Sequence, residues 1–232
     1  MASEDCLSPT EFFDWEHPAV QDYARQAAAG ADSPRERVVR LYYRIRDGIR
    51  YDPYNFRLHR GWFRASEIAR RDRDYCVPKA VLLAAGARAL GVPSRVGFAD
   101  VRNHLSTEKM RAMMQTDVFG WHGYAELYLD GQWVKATPAF NLSLCEKAGV
   151  RPLDFDGTAD AIFHEFDQSG RRHMEYLRDH GTFADFPYEA MLRGMAAVYP
   201  QLMGPAAGRL LREAGGGEDF EQAIAEQAGR GN

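Results

Sequence analysis

Residues 71–98, RDRDYCVPKAVLLAAGARALGVPSRVGF, run from a charged stretch through a single cysteine into a long apolar segment. Pro78 has no N–H to donate and its ring clashes inside a helix, so it fits only a first turn. The run that follows, from Ala80 to Leu90, is rich in alanine and leucine, both strong helix formers. Gly91 is a natural C-terminal stop, and Pro93 prevents continuation. The spacing therefore predicts a helix from Cys76 to Leu90. Its apolar residues cover nearly all sides, so it is buried. Cys76 stands at its N-terminus, where free backbone N–H groups and the helix dipole favour a negative charge. A thiol there can be reactive if a cation helps. It can equally be a packed free thiol, the commoner fate of an isolated cysteine. Lys79, one turn in, either supports a thiolate or is solvated.

Working outward, 232 residues with 45% hydrophobic content suit one globular domain with a sizeable core. A net charge of −4 argues against a nucleic-acid partner. No apolar run reaches the roughly 20 residues that span a bilayer. The acidic start, MASEDCLSPTEFFDWEHP, lacks a signal-peptide pattern. Cys6, Cys76 and Cys145 are too few for a disulfide framework, so a cytoplasmic location is expected. Upstream, Ser33, Pro34 and Glu36 read as N-cap, first helical residue and capping-box partner of a helix. Val38, Leu41, Tyr42, Ile45 and Ile49 form its buried face. Downstream, RVGFADV reads as a strand, and residues 103–118 as a Met-rich helix or loop. Asp130-Gly131 between two apolar runs is a strong hairpin signal. It predicts strands from Trp121 to Leu129 and from Gln132 to Ala139.

The hairpin carries His122. A lone strand histidine is usually structural, but an imidazole brought to a helix-terminal thiol can take its proton, hold the thiolate as an ion pair and later protonate a leaving group. DYCVPKAVLLAAGARALGVPSRVGF followed by HGYAELYLDGQWVKATP resembles the transglutaminase-like superfamily of the papain-type fold. The resemblance covers about residues 38–140. It implies an α+β fold, a papain-like core in which the cysteine helix packs on an antiparallel sheet. It also implies Cys76 as nucleophile, His122 as general base and acid, and acyl transfer or hydrolysis at an amide through a Cys76 thioester, without metal or cofactor. The amide can belong to a peptide, a glutamine or a small molecule. Similar proteins carry an Asp just before the proline of the second strand; here that position is Thr137. A binding protein that keeps the fold with weakened turnover is therefore the alternative.

Three parts are expected: a peripheral segment (1–30), the transglutaminase-like core (31–142) and a mostly helical C-terminal extension (143–232) that packs on the core. In hairpin register Leu129 pairs with Gln132, Ala125 with Ala136, Tyr124 with Thr137 and His122 with Ala139. Thr137 and Asn141 are then diagonal neighbours of His122 on one face, so either can orient it. Asp154 or Asp156 from the extension is a further candidate orienter. Trp121, Tyr124, Asp100, Asn103 and His104 are candidate substrate-binding residues. Asp154, Asp156, Asp160, His164 and Asp167 match no metal-ligand spacing and read as a surface loop. A metalloprotein using Cys76 and His122 as ligands is a third reading, but the head of a buried helix suits a nucleophile better.

Overall fold

The computed structural model of the chain describes residues 4–103, 106–163, 170, 174–203 and 219–230. The cysteine helix, α4, spans Cys76–Ala89, and every residue from Cys76 to Arg88 is buried. Its apolar side chains, among them Val81, Leu82 and Leu83, are fully enclosed. Each such burial stabilises by about 1.5–3 kcal/mol. Gly91 follows at φ +78°, the left-handed conformation that glycine adopts at no steric cost.

Helices α1 (Pro18–Ala27), α2 (Pro34–Gly48) and α3 (Ala65–Ile68) surround α4. The first thirty residues, expected at the periphery, supply Phe12, Phe13, Val20 and Ala24 to the core. At the start of α2, Ser33 Oγ accepts the Glu36 N–H at 3.1 Å. The Glu36 carboxylate accepts from the N–H of Asp32 at 2.9 Å, one residue before the position a capping box uses.

Two short parallel strands, β1 (Arg50–Tyr51) and β2 (Arg73–Asp74), precede α4. The main sheet contains β3 (Ser94–Asn103), β4 (Val118–Leu129), β5 (Gln132–Ala136) and β6 (Met174–Phe183), in the order β5-β4-β3-β6, all antiparallel. The hairpin forms as expected, with Leu129 opposite Gln132 and Ala125 opposite Ala136. Asp130 and Gly131 both have positive φ, and Asp130 pairs with Arg35. The chain is α+β with a helix packed on an antiparallel sheet.

One element was not anticipated and one expectation needs correction. Beside its helices, the extension contributes a strand, β6, which pairs with β3 from Val96 to Asn103. The second hairpin strand stops at Ala136, three residues early. There the Thr137 N–H turns away to donate to the Ala161 carbonyl at 3.0 Å, and Pro138 follows. The remaining helices are α5 (Glu108–Met114), α6 (Leu142–Ala148), α7 (Tyr188–Val198) and α8 (Phe220–Arg230). Among the described residues, no helix is long and apolar enough to cross a membrane.

Two buried cations on α4 tie the parts together. Lys79 is 0% exposed, and its Nζ donates to the carbonyls of Arg46 (3.0 Å), Ile49 (2.6 Å) and Ala139 (2.7 Å). It is neither solvated nor placed to support a thiolate. The ammonium has three protons, and each finds a carbonyl. Burial nonetheless pulls the lysine down to about 7. At the other end, Arg88 donates to the carbonyls of Ser8, Ser94 and Ala184.

Candidate active site

Tyr75, the N-cap of α4, is extended and makes no side-chain cap bond, so the first amides of the helix are left for other acceptors. Cys76 is the first helical residue. The N–H groups of Gly123, Val77 and Cys76 itself all favour its thiolate. Burial outweighs them and pushes the thiol up to about 11. The buried Asp74 carboxylate, which pairs with Arg71 at 2.6 Å and accepts the Tyr75 N–H, adds a smaller push in the same direction. Burial also raises Asp74 itself, to about 6.

His122 comes from the middle of β4. Gly123 beside it packs so closely on α4 that an added Cβ would lie 3.0 Å from the Val77 Cα. Glycine there lets the strand approach the head of the helix. His122 is 4% exposed, and its ring meets Phe163 edge-on at 4.9 Å. Burial alone pulls the imidazole down to about 3. Its Nε2 is buried and has no hydrogen-bond partner among the described residues, and no hydrogen bond joins it to Cys76. Both residues line one cavity of about 60 Å³, with Tyr75, Trp121 and Tyr199 also in the wall. Burial thus disfavours the charged form of both groups, which works against a resting ion pair.

Candidate orienters of His122 are placed as follows. Neither the Tyr124–Thr137 nor the His122–Ala139 pair forms, because β5 ends at Ala136. Thr137 is 1% exposed, and its Oγ1, like His122 Nε2, is a buried polar atom without a partner among the described residues. Asn141 is occupied elsewhere: its Oδ1 accepts the Tyr51 N–H at 3.0 Å, and its Nδ2 donates to Ser143 Oγ at 2.8 Å. Asp154 pairs with Arg46, and Asp156 accepts from Thr158.

Of the candidate substrate-binding residues, Trp121 lines the cavity. It sits in a β-bulge at φ +57°, a rare conformation for a bulky residue. Asp100 does not line the cavity; its Oδ1 accepts the Trp121 N–H at 2.9 Å and contacts His180 Nε2 at 2.8 Å. The His180 ring stacks on the Trp121 indole at 4.4 Å. Asp100 therefore holds the bulge that presents Trp121. Tyr124 is also outside the cavity wall: its ring covers Gly97, and Lys135 Nζ lies 4.9 Å from its centroid. Asn103 is buried at the end of β3, where its N–H donates to the Asp117 carbonyl. His104, His164 and Asp167 lie outside the described residues. Asp160 accepts the Lys135 N–H at 2.8 Å. Among the described residues, no group of three His, Cys, Asp or Glu side chains is arranged to hold a metal.

Sequence reasoning missed His180, Tyr75 and the cavity methionines. Their only signals were a histidine in an exposed strand, a tyrosine preceding the cysteine, and a Met-rich stretch with no evident partner.

No curated protein sequence matches the chain. Among solved structures, the chain is similar to one described as "a Putative Cysteine Protease from Cytophaga hutchinsonii", at 14% identity and a TM-score of 0.45. That match covers 77% of this chain, which spans 53% of the other chain's length. A family model described as Transglutaminase-like superfamily matches residues 21–138, which include Cys76, His122 and Thr137. The chain belongs to the transglutaminase-like superfamily.

Proposed function

We propose that this protein is a cysteine-dependent enzyme that transfers or hydrolyses an acyl group at an amide, with Cys76 as nucleophile and His122 as general base and acid. The observation that carries this reading is that Cys76, at the head of a buried helix, and His122, on the adjacent strand, line one cavity. The substrate is an amide of a peptide, a glutamine or a small molecule. No cofactor is required.

Burial disfavours the charge on both groups, so the thiol is deprotonated as it attacks rather than beforehand. Cys76 Sγ bonds to the amide carbonyl carbon while its proton passes to His122. Backbone N–H groups at the head of α4 stabilise the developing oxyanion. Collapse breaks the C–N bond, and the imidazolium returns its proton to the leaving amine. Water or a second amine then attacks the thioester, with His122 again as base, and the thiol is regenerated.

Thr137 brings no negative charge to the position where the family carries a carboxylate, and His122 Nε2 is unpartnered. This supports a second reading, a binding protein with weakened turnover. Intact-mass measurement after incubation with activated acyl donors tests both. A covalent adduct on Cys76 that disappears in Cys76→Ala and turns over in wild type supports the enzyme. A folded protein that never acylates supports the binding protein.

A further inference from the structure

The cavity beside Cys76 has an unusual wall. Met110, Met113 and Met114 of α5, Met195 of α7, Phe119 and Leu202 form its apolar part. Among the described residues that line it there is no Asp, Glu, Lys, Arg, Asn or Gln. The Tyr199 hydroxyl is used, accepting from the Gly120 N–H at 2.7 Å and donating to the Val118 carbonyl at 3.0 Å. The Tyr75 hydroxyl, next to the cysteine in sequence, is buried without a partner among the described residues. The wall therefore has spare polar capacity beside the thiol and none among the methionines.

A second carboxamide on the acyl chain, remote from the reacting carbonyl and lying among the methionines, would need partners for two donors and an acceptor. It would find none, and an unpaired buried amide is disfavoured. A charged chain fares worse. An alkyl chain loses nothing, and unbranched methionines adapt to its shape. The geometry points to an acyl donor with a short, uncharged apolar chain that lies against the α5 and α7 methionines, its carbonyl at Cys76 near the Tyr75 hydroxyl. This inference rests on Cys76 being the acylated thiol, and it specifies the donor class for that site.

Four p-nitrophenyl esters test it on the full chain: acetate, butanoate, hexanoate and 4-carbamoylbutanoate, the last a carboxamide close to hexanoate in length. The thiol attacks the ester carbonyl, an S–C bond forms, p-nitrophenolate leaves and the thiol proton passes to His122. Release of p-nitrophenolate gives the rate, each rate is divided by that with glutathione, and peptide mapping locates the acyl group. Hexanoate should acylate Cys76 about tenfold faster than butanoate, as two buried methylenes imply. It should exceed the carboxamide by at least as much, and Met113→Gln should shrink that ratio about tenfold. A carboxamide that acylates Cys76 as fast as hexanoate, or a ratio untouched by Met113→Gln, overturns the apolar-chain inference and leaves the nucleophile assignment standing. Protein that is folded by near-UV circular dichroism yet is not acylated at Cys76 by any ester overturns both.

Discussion

The protonation state of the candidate pair is the most direct test of the site. Burial holds the Cys76 thiol at about 11 against an ordinary value of 9.0. That is about two pH units, or roughly 2.7 kcal/mol against the thiolate. At pH 7 the thiolate fraction is then on the order of one part in ten thousand, about a hundredfold below an ordinary thiol. Iodoacetamide alkylation of Cys76, followed by peptide mapping from pH 6 to pH 10, should rise tenfold per unit without a plateau. Access through the cavity scales the whole profile but does not move its midpoint. His122→Ala sharpens the test. A neutral imidazole gives no electrostatic support to a thiolate, so its removal should leave the midpoint unchanged or lower it by admitting water. Turnover of an acyl donor should nevertheless fall by about 10²–10⁴, the usual contribution of a general base. A plateau below pH 9 in the wild type, together with a midpoint that rises in His122→Ala, would refute this reasoning and restore the thiolate–imidazolium pair.

Other consequences can be measured separately. Lys79→Met strips donors from three buried carbonyls, and urea unfolding should show a loss of about 3–5 kcal/mol. Gly123→Ala places a Cβ 3.0 Å from the Val77 backbone, so α4 must shift. A loss of about 1–3 kcal/mol is expected, with slower Cys76 acylation, and an unaltered acylation rate would show that the helix head tolerates displacement. His122 is held at about 3 against 6.5 when unfolded, so its neutral form favours the fold fully above pH 6.5 and that advantage is lost as pH falls toward 3. Wild type should lose on the order of 4 kcal/mol more than His122→Phe across that window, read from denaturant midpoints at each pH. Tyr75→Phe removes an unpartnered buried hydroxyl, so it should leave stability unchanged or raise it while slowing acylation.

The parts of the fold that were legible in the sequence were those set by local chemistry. Pro78 and Gly91 bracketed α4, Ser33 capped α2, and Asp130-Gly131 set the hairpin register as far as Ala136. What failed depended on contacts distant in sequence. β6 is an edge strand with most of Glu175–His180 exposed or half-exposed, so the alternation that marks a half-buried strand is missing from MEYLRDHGTF. Lys79 read either as support for a thiolate or as a solvated charge, because the carbonyls that satisfy it come from α2, from the residue after it and from the segment after β5. In the site, helix position and strand placement brought Cys76 and His122 forward as candidates, and the resemblance to the transglutaminase-like superfamily gave them their expected roles. Counting in register beyond Ala136 misplaced Thr137 and Asn141, because the Ala161 carbonyl captures the chain there. The cavity wall was unreadable, since α5 and α7 meet only in the folded chain.

The pairing of β3 with β6 also constrains how the molecule comes together. β3 is flanked by β4, its near neighbour in the chain, and by β6, so that Val96 must wait for Phe183 and Asn103 for Met174. Closing that long loop is entropically slow, and until it closes β3 has one row of unpaired backbone groups. During synthesis the segment bearing Cys76 and His122 emerges well before β6, so a nascent chain holds both side chains beside an open sheet edge. Chains truncated before Met174 should therefore self-associate through β3, and a peptide matching residues 174–183 should suppress that association in trans.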